Sequence, residues 1–125
     1  MKLLLDGHAY LWWLGDDASL SPSARSAIAD PSNMVFVSAA TVWEMEIKRR
    51  LGRLDARDAD LADEIVANRF VELPVGARHA RAAAALPRLH DDPFDRMLVA
   101  QCALEGLVCV TRDRVFERYG AACLW

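Results

Sequence analysis

The stretch "HDDPFDRMLVAQCALEGLVCVTRD" (residues 90–113) decides the fold class, because it joins a well-capped helix to a solidly apolar strand. Asp92 suits a helix N-cap and the proline after it suits the first helical position, so we predict a helix over 94–105. Gly106 ends that helix. The segment "LVCVT" (107–111) has no polar alternation, which is typical of a strand covered on both faces. The stretch therefore predicts a helix–strand unit of an α/β fold.

The same alternation of helix and apolar strand runs through the rest of the chain. Each predicted strand is a short apolar run, and the predicted helices begin or end at capping residues, glycines or prolines. The predicted strands cover 2–5, 34–38, 70–73 and 107–111, with a further edge strand at 122–125. The predicted helices cover 7–15, 21–30, 39–51, 58–69, 76–86 and 94–105. This pattern predicts a single α/β domain over residues 1–125, with helices on both faces of a parallel sheet.

Composition narrows the class of protein. The chain has 125 residues and a net charge of −3, so it has the length to bury a core but no general attraction to nucleic acid. Three cysteines lie among apolar residues without CxxC spacing, which indicates reduced core thiols: Cys102, Cys109 and Cys123. Asp6 and His8 interrupt the apolar N-terminus, and no apolar run approaches the ~18 residues of a membrane span. We therefore expect a soluble cytoplasmic domain.

Two acidic residues follow predicted strands. Asp6 comes directly after the strand 2–5, and Asp113 comes two residues after the strand 107–111. The carboxyl ends of parallel strands share one edge of a sheet, where ligands bind near the point at which strand order reverses. Each residue also has a local explanation, because Asp6 suits a helix N-cap and Asp113 suits a turn. Both explanations stay open.

A third acidic residue, Glu44, interrupts the apolar face of the predicted helix 39–51. Ala40, Ile47 and Leu51 lie on the same face at 3.6 residues per turn. An ion pair with Lys48, four residues later, is the local alternative, and such a pair contributes about 0.2–0.5 kcal/mol. That pair would not explain why an acid stands on the stripe that should face the core.

Asp95 repeats this pattern at the start of the predicted helix 94–105. Apolar residues follow it at the third, fourth and seventh positions, so it heads an apolar stripe. The local alternative is strong, because Asp92 caps this helix and an acid at the third position favours the helix dipole. In that interpretation His90 and Asp91 are solvated loop residues.

The combination of the four acids favours a metal site. If the sheet is arranged as predicted, Asp6, Glu44, Asp95 and Asp113 could converge near one edge. Two carboxylates about 4 Å apart repel each other by roughly 4 kcal/mol at an effective dielectric constant near 20, so such a cluster needs a cation. Oxygen ligands suit Mg²⁺ or Mn²⁺. Soft metals are disfavoured, because no His/Cys grouping has suitable spacing.

Four stretches of the chain resemble the PIN-domain family, and more closely its VapC-type toxin ribonucleases. They are "LLLDGHAYLWWL" (3–14), "VSAATVWEMEIKRRLGRL" (37–54), the opening stretch (90–113) and "FERYGA" (116–121). The resemblance spans nearly the whole chain in order, and only residues 55–88 are generic. It implies a PIN-like three-layer α/β/α sandwich around a central parallel sheet.

The resemblance also implies a site and a reaction. The family's acidic site corresponds to Asp6, Glu44, Asp95 and Asp113, and Thr111 matches the threonine of the family's TxD motif, which supports the site. One or two Mg²⁺ or Mn²⁺ ions bound there would activate a water to hydrolyse RNA phosphodiester bonds, which leaves a 5′-phosphate and a 3′-hydroxyl. This sequence departs from the family pattern at two positions. Gly7 replaces a small polar residue, often threonine, which would loosen a supporting hydrogen bond, and Val115 replaces an acid that some relatives carry.

An RNA substrate and protein partners follow from the same resemblance. An acidic nuclease needs local positive charge, and the candidate substrate-binding residues are Arg112, Arg114 and Arg96. For each of them, an ordinary solvated surface or an ion pair is the favoured local explanation. Toxins of this kind usually form homodimers and are inhibited by a small antitoxin, which would place an arginine or an apolar helix into the acidic groove. Three tryptophans fit such an interface or a plain core: Trp12, Trp13 and Trp43.

Two other functions remain open for comparison. A catalytically inactive PIN-like module that binds RNA or a protein would keep the fold without the chemistry, and the retention of four acids weighs against it. A phosphoryl-transfer domain with a nucleophilic aspartate would carry a second aspartate two residues after Asp6, where the chain has His8. A receiver domain, which is one form of this second alternative, would need a late lysine, and no lysine follows Lys48.

Overall fold

The computed structural model describes residues 1–55 and 59–125, and within them five strands form one parallel sheet. The strands are β1 (Lys2–Leu5), β2 (Met34–Ser38), β3 (Val71–Leu73), β4 (Val108–Val110) and β5 (Cys123–Leu124). Their order across the sheet is β3-β2-β1-β4-β5, and every neighbouring pair is parallel. The predicted α/β class with a central parallel sheet is confirmed.

Seven helices connect the strands in the described residues. They are α1 (Gly7–Leu14), α2 (Pro22–Ala29), α3 (Ala39–Arg50), α4 (Asp63–Ala67), α5 (Ala77–Ala85), α6 (Pro93–Glu105) and α7 (Val115–Arg118). The predicted caps at Asp6, Ser21 and Asp92 each accept a hydrogen bond from a backbone N–H of the first helical turn. Local capping chemistry therefore set these helix starts, as the sequence indicated.

Two helices differ from the sequence prediction. The helix expected over 58–69 is shorter in the structure, where it consists of α4 (Asp63–Ala67). Residue 58 lies outside the described residues. It starts late because the Asp60 carboxylate accepts from the N–H groups of Ala62 and Asp63, which makes a turn before the helix. The four-residue helix α7 was not predicted, because so short a segment carries no hydrophobic period.

The sheet buries a core on each face. Alternate residues of β1 point in opposite directions, so Leu3 and Leu5 pack in one core and Leu4 packs in the other. The first core contains residues of α1, α2, α3 and α4, and the second contains residues of α6 and α7. This explains why the strands are solidly apolar: helices cover both faces of the sheet.

The cysteines and two of the tryptophans have clear environments. Cys102 and Cys109 are buried, Cys123 is half-buried, and all three are free thiols. Trp13 packs against Phe70 and donates its indole N–H to Asn68, which places it with the core. Trp43 is 64% exposed, so the core alternative for this residue is wrong. None of the helices in the described ranges is long and apolar enough to cross a membrane.

The strand order identifies the edge of the sheet at which a ligand site is expected. The chain moves from β1 outward to β2 and β3, then returns to β4 and β5 on the other side of β1. The strand order therefore reverses between β1 and β4, and binding crevices of parallel α/β sheets lie at the carboxyl ends of such strands. Asp6 follows β1 and Thr111 follows β4 at this point.

The central packing predicts how stability responds to truncation. Leu4→Ala should lower the free energy of unfolding by about 2–5 kcal/mol, because Leu4 is fully buried and its removal leaves a cavity. Leu104→Ala, at an exposed position of α6, should change it by less than about 0.5 kcal/mol. Urea unfolding of both variants measures this. Equal effects would contradict the burial of Leu4 in the second core.

Candidate acidic active site

Asp6 lies at the junction of β1 and α1 and has both of its carboxylate oxygens bonded. Its Oδ1 accepts from the backbone N–H of Ala9 at 2.8 Å, as the N-cap prediction requires. Its Oδ2 accepts from the hydroxyl of Thr111 at 2.7 Å. Only 7% of the residue is exposed. Asp6 is thus an N-cap, and it is also a buried carboxylate at the reversal point of the sheet.

Thr111 links the ends of β1 and β4. Its hydroxyl donates to Asp6 and accepts from the backbone N–H of Asp113 at 3.0 Å. The Asp113 carboxylate accepts from the N–H of Val115 at 3.0 Å and is exposed, as expected of a turn residue. Its negative charge nevertheless raises the pKa of Asp6, as a smaller contribution than burial. Asp6 and Asp113 therefore interact electrostatically.

Glu44 reaches the same region from α3. The residue is 9% exposed, and its Oε2 lies 3.3 Å from the Lys48 ammonium, which confirms the ion pair considered from the sequence. A Cβ atom at Gly7 would lie 3.4 Å from Glu44 Oε1 and would collide with the end of the Met45 side chain. The glutamate therefore lies against the residue after Asp6.

Asp95 lies in the first turn of α6. Its backbone N–H donates to the N-cap Asp92, and its Oδ2 lies 3.2 Å from His90 Nε2. His90 Nδ1 lies 2.8 Å from the Tyr119 hydroxyl. The prediction that His90 is a solvated loop residue was wrong, whereas Asp91 is exposed as expected. Sequence reasoning missed His90 because its main partner lies 29 residues away on another segment.

Three of the four acids have raised pKa values. Burial is the main cause for each, and the pKa of Asp95 rises from 3.8 to about 6. The charges of Asp92 and Glu44 contribute to this rise, while the hydrogen bond to His90 acts against it. Burial also raises the pKa of Glu44 and of Asp6, with Lys48 lowering the former. Asp92, interpreted from the sequence only as a cap, thus belongs to the same electrostatic group.

The four carboxylates are ligands that suit a hard divalent cation, but they are not arranged around one point. Among residues 1–55 and 59–125, no group of three or more His, Cys, Asp or Glu side chains is arranged to hold a metal ion. Asp6, Glu44 and Asp95 are each held by a separate partner. Their raised pKa values nevertheless show that buried negative charge is incompletely compensated. An oxygen-seeking divalent ion would supply that compensation.

The three candidate arginines have different surroundings. The Arg112 guanidinium lies 4.7 Å from the centre of the Trp12 ring, and His8 stacks on the same tryptophan. Arg114 is exposed at the start of α7. Arg96 instead donates to the carbonyl oxygens of several residues at the end of α5. Arg112 thus lies over Trp12, whereas Arg96 is used to bind backbone carbonyl groups.

The chain is similar to proteins of known structure. A family model described as PIN domain matches residues 3–122. No curated protein matches the chain.

Solved structures show the same fold at low sequence identity. VapBC2 from Rickettsia felis, bound to a DNA fragment from its promoter, has a TM-score of 0.75 and 13% identity, over 99% of this chain and 98% of that chain. VapBC-1 from nontypeable Haemophilus influenzae has a TM-score of 0.70 and 14% identity, over 99% and 97%. A toxin-antitoxin complex from Klebsiella pneumoniae has a TM-score of 0.59 and 18% identity, over 90% and 87%.

The raised pKa of Asp95 predicts a pH-dependent gain in stability for Asp95→Asn. Ionisation of Asp95 lowers the free energy of unfolding, because the pKa of this carboxyl is higher in the folded state than in the unfolded state. This loss of stability is absent below about pH 4 and complete above about pH 6. A rise from 3.8 to about 6 corresponds to about 3 kcal/mol at most. In EDTA at pH 8, the variant should therefore be more stable than wild type, and the difference should shrink as the pH falls to 4.

Urea unfolding between pH 4 and pH 8 measures this difference. Asp91→Asn is the matched control, because Asp91 is exposed on the same loop. A stability difference for Asp95→Asn that does not change with pH would contradict the assignment.

Proposed function

Because the chain belongs to the PIN domain family, we propose that it is a metal-dependent endoribonuclease and the toxin of a toxin–antitoxin pair, of the VapC type. The observation that carries this proposal is the set of inward-facing carboxylates with raised pKa values beside the reversal point of the sheet. Perturbed acids in such a place are typical of a catalytic site. A cytoplasmic location, where RNA is available, remains part of the proposal.

The proposed ligands of one or two Mg²⁺ or Mn²⁺ ions are Asp6, Glu44, Asp95 and Asp113. When bound, the ion would activate water for attack on phosphorus and neutralise charge on the phosphoryl oxygens. Thr111 holds Asp6 in place by its 2.7 Å hydrogen bond and aligns the backbone of Asp113. The Lys48 ammonium compensates part of the negative charge on Glu44.

Arg112 is the proposed main contact to RNA. It stands between Thr111 and Asp113, it is exposed, and its guanidinium lies over the Trp12 ring. A guanidinium there can pair with a phosphate, while an aromatic neighbour can stack on a base. Arg114 is exposed beside it, so we assign RNA contact to these two arginines rather than to Arg96.

The proposed antitoxin surface is an exposed apolar stripe on α3. The stripe consists of Trp43, Ile47 and the C-cap residue Leu51, which share one helix face and are all exposed. The sequence placed Ile47 and Leu51 on the face that should be buried, and that prediction is wrong for these two residues, because the core contacts of α3 come from its other residues. Trp43 also packs edge-on against Phe94, with 5.4 Å between the ring centres. Each aromatic residue precedes a proposed metal ligand in the sequence. An antitoxin segment with an apolar face would cover the stripe and direct an arginine at the acids. A homodimer is also part of the proposal.

An inactive PIN-like module that binds RNA or a protein is the second candidate. The observation that favours it is that no metal-binding group of three side chains is assembled within the described residues. The two functions differ in one measurement, because only the nuclease requires a divalent ion. Calorimetric titration with Mn²⁺ that shows no binding to the wild-type chain would favour the inactive module.

The nuclease proposal predicts the effect of neutralising its acids. Asp6→Asn and Asp95→Asn should each keep a native circular dichroism spectrum and abolish RNA cleavage, because each removes a negative ligand of the cation. Wild-type cleavage should stop in EDTA and return with Mn²⁺. Asp91→Asn should cleave like wild type. If both ligand variants cleave at the wild-type rate, the activity comes from another nuclease or another site.

The proposed role of Arg112 predicts weaker and less salt-sensitive RNA binding. In an Asp6→Asn background that cannot cleave, Arg112→Ala should weaken the binding of single-stranded RNA by about ten-fold or more, because it removes a charge-assisted hydrogen bond worth about 1.5–3 kcal/mol. The slope of log affinity against log salt should also fall by about 0.7. Arg118→Ala, at an exposed position of α7, is the control. Equal slopes for both variants would contradict the phosphate contact.

A further inference from the structure

His90 connects the candidate site to the last part of the chain. Its ring is half-buried between α6 and the end of α7. Its Nε2 lies 3.2 Å from Asp95 Oδ2, and its Nδ1 lies 2.8 Å from the hydroxyl oxygen of Tyr119. The family resemblance assigned no role to either residue. The two contacts form a chain from Tyr119 through His90 to a proposed metal ligand.

The hydrogen bonds of Tyr119 determine where its proton lies. Its oxygen accepts from Arg96 Nη1 at 3.2 Å and from the backbone N–H of His90 at 3.3 Å. A hydroxyl oxygen has two acceptor positions, so both are taken and its own proton must be donated. The two available acceptors are His90 Nδ1 at 2.8 Å and the His90 carbonyl at 3.4 Å, and the shorter contact is favoured.

Arg96 fixes the direction of the hydrogen bonds around the Tyr119 hydroxyl. A guanidinium can only donate, so it cannot exchange roles with the Tyr119 hydroxyl. Its position is held by further hydrogen bonds to the carbonyl oxygens of Ala83, Leu86 and Pro87, at 2.9–3.0 Å. With Nδ1 of His90 as an acceptor, the ring carries its proton on Nε2, the nitrogen that faces Asp95.

We propose that His90 is a positioning residue for Asp95: it donates its Nε2–H to Oδ2 and leaves Oδ1 for the divalent cation. This inference rests on the proposed function of the site. No hydrogen bond within the described part of the chain uses Asp95 Oδ1. A carboxylate that accepts a fixed hydrogen bond on one oxygen is oriented for ligation through the other, and such outer partners strongly affect metal affinity.

A second histidine–carboxylate pair provides a matched control. His79 Nε2 lies 3.0 Å from Glu105 Oε1, and His79 Nδ1 accepts from the backbone N–H of Gly76. Both acids lie on α6, with Glu105 at its last residue and Asp95 in its first turn. Ten residues of helix separate them by about 15 Å. The pairs have the same chemistry, and only that of His90 adjoins the candidate site.

The first experiment reads the tautomer in the metal-free protein. At pH 8, the ¹⁵N chemical shifts of the histidine rings should show His90 protonated on Nε2 and unprotonated on Nδ1. Tyr119→Phe removes the donor to Nδ1, so a population with Nδ1 protonated should appear in that variant. A wild-type ring that is protonated on Nδ1 would overturn the proposed direction of the hydrogen bonds.

The second experiment measures Mn²⁺ affinity of the full chain by calorimetry. His90→Ala should weaken binding by about ten-fold or more, the usual effect of losing such a partner. His90→Gln should recover part of the loss, because an amide N–H can donate to Oδ2. His79→Ala should bind like wild type. Circular dichroism confirms that each variant is folded, and His90→Gln replaces His90→Ala in the comparison if the alanine variant is not.

The outcomes separate this inference from the proposed function. If wild type binds Mn²⁺ and cleaves RNA while His90→Ala has the affinity of His79→Ala, the positioning role is overturned and the nuclease proposal stands. If wild type does not bind Mn²⁺, the nuclease proposal and the role of His90 toward a cation both fail. Reduced affinity for His90→Ala alone, with partial recovery in His90→Gln, supports the inference.

Discussion

The candidate site depends on the parallel pairing of β1 with β4. The backbone N–H of Asp6 donates to the carbonyl of Val110, and the Thr111 hydroxyl donates to the Asp6 carboxylate, which joins residues 105 positions apart in the chain. Both strands are buried on two faces, so a slip of one residue would turn every side chain to the wrong core. The register that fills the cores is thus the register that brings Thr111 to Asp6.

The same site stores unfavourable electrostatic energy. Burial raises the pKa values of Asp6, Glu44 and Asp95, which means that the folded chain holds negative charges that it would hold more easily when unfolded. The two cores offset this cost. Such a conflict between local chemistry and global stability is typical of functional sites, since a sequence selected for stability alone would place apolar or neutral side chains there. A divalent cation would remove the conflict.

The local and functional explanations of the acids proved compatible. Asp6 is the predicted N-cap of α1, Glu44 forms the predicted ion pair with Lys48, and Asp95 occupies the predicted first turn of α6. A carboxylate has about four acceptor positions on its two oxygens, so a hydrogen bond or ion pair within the protein leaves further positions for a cation. This holds even for Asp6, where each oxygen already accepts one hydrogen bond. Satisfying the local explanation therefore did not weaken the functional one. In the role proposed for His90, Asp95 uses Oδ2 for the histidine and keeps Oδ1 for the cation.

The sequence by itself determined the α/β class, the parallel sheet, most element boundaries and the acids worth examining, because hydrophobic period, caps and breakers act over a few neighbouring residues. It did not determine that His90 would bridge Asp95 and Tyr119 or that Trp43 would be exposed. Nor did it determine that three of the four acids would each be held by a separate partner. Only the tertiary structure decided these features. The partner of a polar side chain depends on which distant segments the sheet brings to one edge, and no local pattern encodes that.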